Sequence, residues 1–246
     1  MHYRYKVNHP SKIKLGLHWL KSNRVIGIYQ LEDGRDTIIG GFSPGLPKEP
    51  NFLKLLSCEN EEINWESQWE EKIIEVSIHN HFFKLKAGPG FGDSTHPTTQ
   101  LCMEALAQLR PSAVLDIGSG SGILSLAAIS LGIKEVIGIE IDPKAISHHQ
   151  ENIQLNHFKE MKIATHLSRE DLNHKDQLIL INMILSEQKQ VFDSMPEIFE
   201  EKKRWYASGI LSDGLEEATR FYVERGLKIL RIDHLEKWCG IYMEKS

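Results

Sequence analysis

The sequence is poor in cysteine, and its few cysteines are scattered. Of 246 residues only three are cysteine, Cys58, Cys102 and Cys239, and no two of them form a C-x-x-C pair. Such spacing indicates neither a disulfide framework nor a thiolate zinc site, and no metal site is expected. A chain of this length buries a hydrophobic core without cross-links. We therefore expect a protein of the reducing cytoplasm.

Long hydrophobic runs are also missing. The first residues, MHYRYKVNHPSKIK, lack the apolar core of a signal peptide. No later run reaches the roughly 18 apolar residues that a membrane span requires. The protein is expected to be soluble and intracellular, with no membrane partner.

An excess of positive charge is absent as well. The formal net charge is −5, whereas nucleic-acid-binding proteins usually depend on clustered Lys and Arg, so direct nucleic-acid binding is not expected. Residues 58–75 hold seven Glu and one Lys, a net of −6, which leaves about +1 for the rest of the chain. This segment is either a solvated helix face or an acidic surface that attracts a lysine-rich partner.

Turn residues and hydrophobic periodicity predict a small α+β domain at residues 1–57. It contains a strand at 3–7, a helix whose N-cap is Ser11 and a strand at 24–31. The segment 40–51, rich in Gly and Pro, is predicted to be a loop.

The next segment, residues 58–76, is predicted to be an acidic helical linker. Trp65, Trp69, Ile73 and Val76 recur at helical spacing, which gives one apolar face opposite the glutamates. We expect that face to pack on the main domain.

Residues 77–246 alternate between strands and helices after a short first strand and loop. Strands are predicted at 113–117, 135–141, 161–165, 177–182, 204–208, 227–232 and 238–243, and helices near 97–109, 121–131, 143–156, 186–201 and 213–225. This order predicts an α/β fold with a mainly parallel, doubly wound sheet. The short last connection predicts an antiparallel hairpin.

Ligands bind such a sheet beyond the carboxyl ends of its strands, which is where the stretch VLDIGSGSGILSLA falls. Asp116 ends the first strand, and Gly118, Gly120 and Gly122 form a turn before a helix whose N-terminal N–H groups face the ligand. A purely structural turn is the alternative. A dinucleotide fingerprint needs glycine at the position of Ile123, whereas D-x-G-x-G-x-G resembles the first motif of class I S-adenosylmethionine-dependent methyltransferases.

The second strand supplies Glu140, 22 residues after Gly118. A carboxylate there can accept hydrogen bonds from both ribose hydroxyls, which suits a nicotinamide cofactor as well. Ile141 could offer an apolar surface to adenine. Asp142, followed by Pro143, is expected to be an N-cap.

Asn182 ends the fourth strand, where it either caps a turn or holds the methyl donor or acceptor. The segment is not the N-P-P-[YF] motif of methyltransferases that act on nucleic-acid bases. Three histidines receive structural interpretations. His96 is expected to be structural, and His148 and His149 are expected on a solvated helix face.

Six ordered motifs resemble the PrmA family, which methylates amino groups of ribosomal large-subunit protein eleven. They are GPGFGDSTHPTTQLCMEAL, VLDIGSGSGILSLAA, IGIEIDPKAI, INMIL, ASGIL and EKWCGIYMEK, within residues 62–246. The resemblance implies a ferredoxin-like recognition domain joined by a helical linker to a Rossmann-like, seven-stranded methyltransferase domain.

By position the resemblance assigns S-adenosylmethionine contacts to Thr99, Gly118, Glu140 and Asn182. The interpretation of the turn adds Asp116, Ser119 and Gly120, and that of the second strand adds Ile141. Asn182 is also the candidate catalytic residue.

This chain departs from the family in the FGDST loop, where Asp93 and Ser94 replace Thr and Gly, and in its short N-terminal part. A nicotinamide-dependent oxidoreductase and a catalytically weak ribosome-binding module stay open as alternatives.

Overall fold

A computed structural model describes the chain in segments. The described residues are 2–23, 25–33, 36–43, 45–46, 48–59, 73–88, 90, 92, 94–158, 161–199 and 202–245. The chain divides into two compact units, Met1–Asn64 and Trp65–Ser246. No helix within the described ranges is long and apolar enough to cross a bilayer.

The first unit is a four-stranded antiparallel sheet with one helix. Its elements are β1 (His2–Val7), α1 (Ile13–Ser22), β2 (Ile26–Asp33), β3 (Asp36–Phe42) and β4 (Leu53–Glu59), with a 3-10 turn at Pro10–Lys12. The strand order β2-β3-β1-β4, antiparallel throughout, is that of a ferredoxin-like domain. The described residues between β3 and β4 form no helix.

Helix α1 lies close to the sheet because Gly16 has no side chain. A Cβ on Gly16 would lie 2.6 Å from Cδ1 of Ile39. Leu20 and Ile39 are fully buried beside Tyr5 in the core of this unit. The prediction that Ser11 caps the helix is wrong.

The N-cap of α1 is Lys12, which makes no side-chain capping hydrogen bond, and α1 begins at Ile13. The side chain of His9 caps the preceding 3-10 turn by accepting the hydrogen bond from the Ser11 N–H. The loop predicted at 40–51 is also wrong at its start. Gly40 and Gly41 lie in β3, where β1 pairs with both of them. Glycines that indicate a turn locally are held in strand conformation by pairing with neighbouring strands.

The linker predicted at 58–76 is wrong at both ends. Cys58 lies in β4, and Ile73 begins β5 (Ile73–Ile78), which pairs antiparallel with β6 (His81–Lys86). Val76 is buried and Ile73 exposed along that strand. Residues 60–72, which include both tryptophans of the predicted stripe, lie outside the described residues.

The large sheet of the second unit has seven strands in the order β12-β13-β11-β10-β7-β8-β9. The strands are β7 (Ala113–Ile117), β8 (Glu135–Ile139), β9 (Met161–Ala164), β10 (Gln177–Asn182), β11 (Arg204–Leu211), β12 (Leu227–Leu235) and β13 (Trp238–Lys245). The helices are α2 (Pro97–Leu109), α3 (Ile123–Ser130), α4 (Pro143–Leu155), α5 (Leu185–Ser194) and α6 (Leu215–Glu224). β13 runs antiparallel to both of its neighbours, β11 and β12, and the other described strand pairs of this sheet are parallel. The doubly wound sheet and its terminal hairpin are confirmed.

Alternate residues of the inner strands enter two cores, one on each face of this sheet. Val114 and Leu180 pack in the core that also holds Leu106, whereas Leu115 and Ile181 pack in the core around Trp205. All of them are fully buried, as expected for parallel strands covered on both faces. The chain winds outward from β7 to β9 on one side and from β10 to β11 on the other, so the strand order reverses between β7 and β10. That reversal is where ligands bind in such folds.

Candidate active site

The glycine turn after β7 occupies the point of reversal. Gly118, Gly120 and Gly122 all have positive φ, at 71°, 55° and 82°. The N–H groups of Gly118 and Ser119 donate to the carbonyl of Ile139 at 2.8 and 3.1 Å, which ties the turn to the end of β8. Because L side chains rarely adopt this conformation, the backbone itself requires the alternating glycines.

Glu140 follows β8 and reaches back to the turn. Its Oε2 accepts a hydrogen bond from the Gly120 N–H at 2.9 Å, and its Oε1 accepts from the N–H groups of Ile141 and Asp142 at 2.8 and 3.0 Å. These three donors orient the carboxylate and use three of its roughly four acceptor positions. The remaining capacity fits a ligand hydroxyl. Ile141 beside it is 76% exposed, which suits an apolar contact with a base.

Asp116 lies behind the turn and supports it. The carboxyl is only 1% exposed, and its Oδ2 accepts a hydrogen bond from the Ser125 hydroxyl at 2.6 Å, which joins β7 to α3. Burial raises its pKa to about 6, Ser125 opposes that shift and the nearby Glu140 adds to it. A side chain this inaccessible acts on a bound ligand mainly through the shape and the electrostatic field of the turn.

Two predicted site residues have a buried oxygen without a hydrogen-bond partner among the described residues. They are Asn182, whose Oδ1 lies at the end of β10, and Thr99, whose Oγ1 lies in the first turn of α2. A buried polar atom costs free energy unless a water, a ligand or another group satisfies it. The Asn182 oxygen is therefore an unsatisfied acceptor at the carboxyl edge of the sheet.

A buried network missed by the sequence analysis holds the segment after Asn182. The side-chain amide of Gln188 in α5 donates to the carbonyls of Met183 and Ser208 at 2.7 and 2.9 Å, and the hydroxyl of Tyr222 donates to its Oε1. Gln188 lies on the same helix face as buried Phe192, so its position in an apolar stripe was the available signal.

The interpretations of the helix starts are confirmed in part. The side chain of Asp142 accepts a hydrogen bond from the Lys144 N–H at 3.0 Å, so Asp142 is the N-cap of α4 as expected. The ring of His96 caps α2 by accepting from the Thr98 N–H, and it also packs edge-on against Trp238.

The expectation for the histidine pair of α4 is wrong. His148 is 4% exposed and His149 is fully buried. The ring of His149 lies under the turn, where its Nδ1 is 2.9 Å from Oγ of Ser119, and a Cβ on Gly122 would lie 2.0 Å from its Cδ2. Two adjacent positions of this helix are buried because α4 packs against both β6 and the glycine turn.

Of the two unusual loop residues, Asp93 lies outside the described residues. Ser94 precedes α2, and its carbonyl accepts a hydrogen bond from the Gln100 side chain at 3.2 Å. Within the described part of the chain no group of three or more His, Cys, Asp or Glu could hold a metal ion.

Comparison of this chain with known proteins identifies one family. Residues 59–246 match the family model described as ribosomal protein L11 methyltransferase (PrmA). Ribosomal protein L11 methyltransferase of Mannheimia succiniciproducens is 30% identical over 74% of this chain and 68% of that protein. The Thermoanaerobacter pseudethanolicus protein of the same name is 33% identical over 74% of this chain, which spans only 58% of that relative. The crystal structure of ribosomal protein L11 methylase from Lactobacillus delbrueckii superposes with a TM-score of 0.57 at 27% identity, covering 66% of this chain and 84% of that one.

Proposed function

We propose, since this chain belongs to the ribosomal protein L11 methyltransferase (PrmA) family, that it transfers a methyl group from S-adenosylmethionine to an amino group of a ribosomal protein of the large subunit. The observation that carries this proposal is the unsatisfied buried oxygen of Asn182, at the end of the strand that pairs with β7 and next to the glycine turn. We assign it to the acceptor, and we assign the buried hydroxyl of Thr99 to the donor, as the family resemblance implies.

The residues at the edge fit the donor. We place the methionine half of the donor against the turn of Gly118, Ser119 and Gly120, because Gly118 and Gly120 are at positive φ and have no side chain. Glu140 would hold the ribose, and exposed Ile141 would cover the adenine. The donor supplies a methyl group on a sulfonium whose leaving group is a neutral thioether, so the chain needs no general acid.

The acceptor amine must present its lone pair to that methyl group. A free lysine amine has a pKa near 10.4 and is protonated at neutral pH, so the site must favour the neutral form by desolvation. Asn182 Oδ1 accepts an N–H of the amine without engaging its lone pair. The rate then comes mainly from alignment and proximity.

The substrate we propose is the L11 protein, which is the one that the names of the relatives print. The acidic segment 58–75, with a net charge of −6, complements a lysine-rich surface. We further propose that residues 1–57 form the recognition domain. A ribosomal-protein substrate implies that the reaction takes place in the cytoplasm.

The test incubates the protein with radiolabelled S-adenosylmethionine and ribosomal proteins that carry no methyl groups at these positions. Label on the L11 band, in an amine-linked methyl group, is the expected result. Label on another ribosomal protein would show that L11 is not the substrate and would still support methyl transfer to a ribosomal protein. Poor donor binding together with no transfer to any ribosomal protein would favour the ribosome-binding module, and binding of NAD in place of the donor would favour the oxidoreductase.

A further inference from the structure

Helix α4 presents three side chains in a row to the open edge of β6. His148, Asn152 and Asn156 recur every four residues and so lie on one face of the helix. Strand β6 pairs with β5 on one edge only. Side chains of α4 take the place of a strand on the other edge.

The two asparagines of this row form hydrogen bonds with the backbone of β6. Asn156 accepts from the Lys84 N–H and donates to the Lys84 carbonyl, both at 2.7 Å. Asn152 accepts from the Lys86 N–H at 2.7 Å, and its amide donates to the carbonyl of Ser121 in the glycine turn at 3.0 Å. The row therefore reaches from β6 to the donor site.

His148 extends the row into the glycine loop, the name that we give to the described residues 87, 88, 90, 92 and 94–96. Its Nε2 donates to the Lys86 carbonyl at 2.8 Å, and its Nδ1 accepts from the Gly90 N–H at 3.1 Å. A carbonyl on one side and an N–H on the other fix the tautomer of a neutral ring. Gly88 lies against the same ring, since a Cβ there would be 2.5 Å from it.

The glycine loop lies against the glycine turn that follows β7. A Cβ on Gly90 would be 2.6 Å from the carbonyl carbon of Gly120 and from the nitrogen of Ser121. The Ser121 hydroxyl donates to the carbonyl of Gly92 at 2.8 Å. A displacement of the loop would therefore also displace the glycine turn that it contacts. It would displace the start of α2 as well, which follows the loop in the chain and carries Thr99.

We propose that His148 is a positioning residue for donor binding, because it fixes the glycine loop against the turn that receives the donor. His148 does not touch the donor, and it acts through the Gly90 N–H. The effect on donor affinity rests on the function proposed above, whereas the effect on the loop does not.

The test compares His148→Leu, which removes both hydrogen bonds, with His148→Gln, which restores a donor and an acceptor. Exposed His81→Ala is the control. Titration calorimetry with S-adenosylhomocysteine, on samples shown to be folded by circular dichroism, should give about tenfold weaker binding for the Leu variant, because two hydrogen bonds are lost. The Gln variant should stay within about threefold of wild type. Wild-type affinity in folded His148→Leu would overturn the proposal.

A second variant guards against misfolding of the first. Gly88→Ala places a methyl group against the His148 ring and should weaken binding in the wild-type background. In the His148→Ala background, where the ring is gone, the same change should have little effect. Equal effects in both backgrounds would show that the loop does not depend on this ring.

Hydrogen exchange of the protein without ligand separates the two proposals. The Gly90 amide should exchange faster in His148→Leu than in wild type, whereas the amides of β7 should be unchanged. If wild type binds no donor but the Gly90 amide exchanges faster in His148→Leu, the proposed function is wrong and His148 still fixes the glycine loop. An unchanged exchange rate of the Gly90 amide would show that His148 does not fix the loop.

Discussion

The side-chain oxygen of Asn182 is the most specific chemical group at the site, because it is buried and has no partner within the described residues. We expect Asn182→Ala to lower kcat by about 100-fold, since the acceptor amine loses its alignment. Donor affinity should change far less. Single-turnover kinetics and calorimetry measure the two quantities, with exposed Asn173→Ala as the matched control. An unaltered kcat would exclude the orienting role.

The carboxyl of Asp116 makes stability depend on pH in an unusual direction. Its pKa is raised by burial from about 3.8 to about 6, so the folded state favours the protonated form. Its contribution to stability is full below pH 4 and is lost as the pH rises through 6. Asp116→Asn should therefore raise the free energy of unfolding above pH 6, by about 2 to 3 kcal/mol in the absence of ligand. Urea denaturation at pH 4 and pH 7.5 is the measurement, and a loss of stability at pH 7.5 would contradict it.

His149 acts in the opposite direction over the same range. Burial, together with a smaller effect of the neighbouring His148, lowers its pKa from 6.5 to about 4. Its neutral form stabilises the protein above pH 6.5, and that contribution is lost as the pH falls toward 4. In wild type the two slopes offset each other. Asp116→Asn should leave the histidine slope visible, as a decrease in stability on acidification.

At the scale of elements, one side chain of α5 connects β11, α6 and the segment that follows β10. Gln188 donates to two backbone carbonyls and accepts from Tyr222. Gln188→Leu leaves these buried groups unpaired and should cost about 3 kcal/mol of folding free energy. Gln190→Leu, on the exposed face of the same helix, should cost little. Thermal and urea unfolding of the two variants provide the comparison, and similar stabilities would mean that water replaces the amide.

The elements of the second unit follow closely from local sequence. Strands Ala113–Ile117 and Gln177–Asn182 are confirmed at both ends, because each is a short apolar run bounded by polar or turn residues.

In the first unit, the sequence did not predict strands β3 and β4. Gly40 and Gly41 break the alternating pattern of β3. Residues 58–59 were assigned to the acidic helix, whereas they end β4.

At the scale of the whole molecule, we expect the acidic segment 58–75 to attract a basic substrate. The acidic segment is screened by salt, so kcat/KM for the protein substrate should fall by about fivefold between about 0.05 and 0.3 M salt. The affinity for the donor should be nearly constant over that range. Glu→Gln changes at Glu61, Glu62, Glu70 and Glu71 should flatten the salt dependence. Equal salt dependence in wild type and variant would place the attraction elsewhere.

The sequence by itself determined the α/β fold, the glycine turn and the residues at the ends of β7, β8 and β10. These follow from the order of strands and helices and from the rule that such folds bind ligands where parallel strands end. Only the tertiary structure decided what supports them. The histidines of α4 look like surface residues along the chain, and they are buried because β6 and the glycine turn pack over them. Contacts between residues far apart in sequence leave no local pattern from which such burial could be predicted.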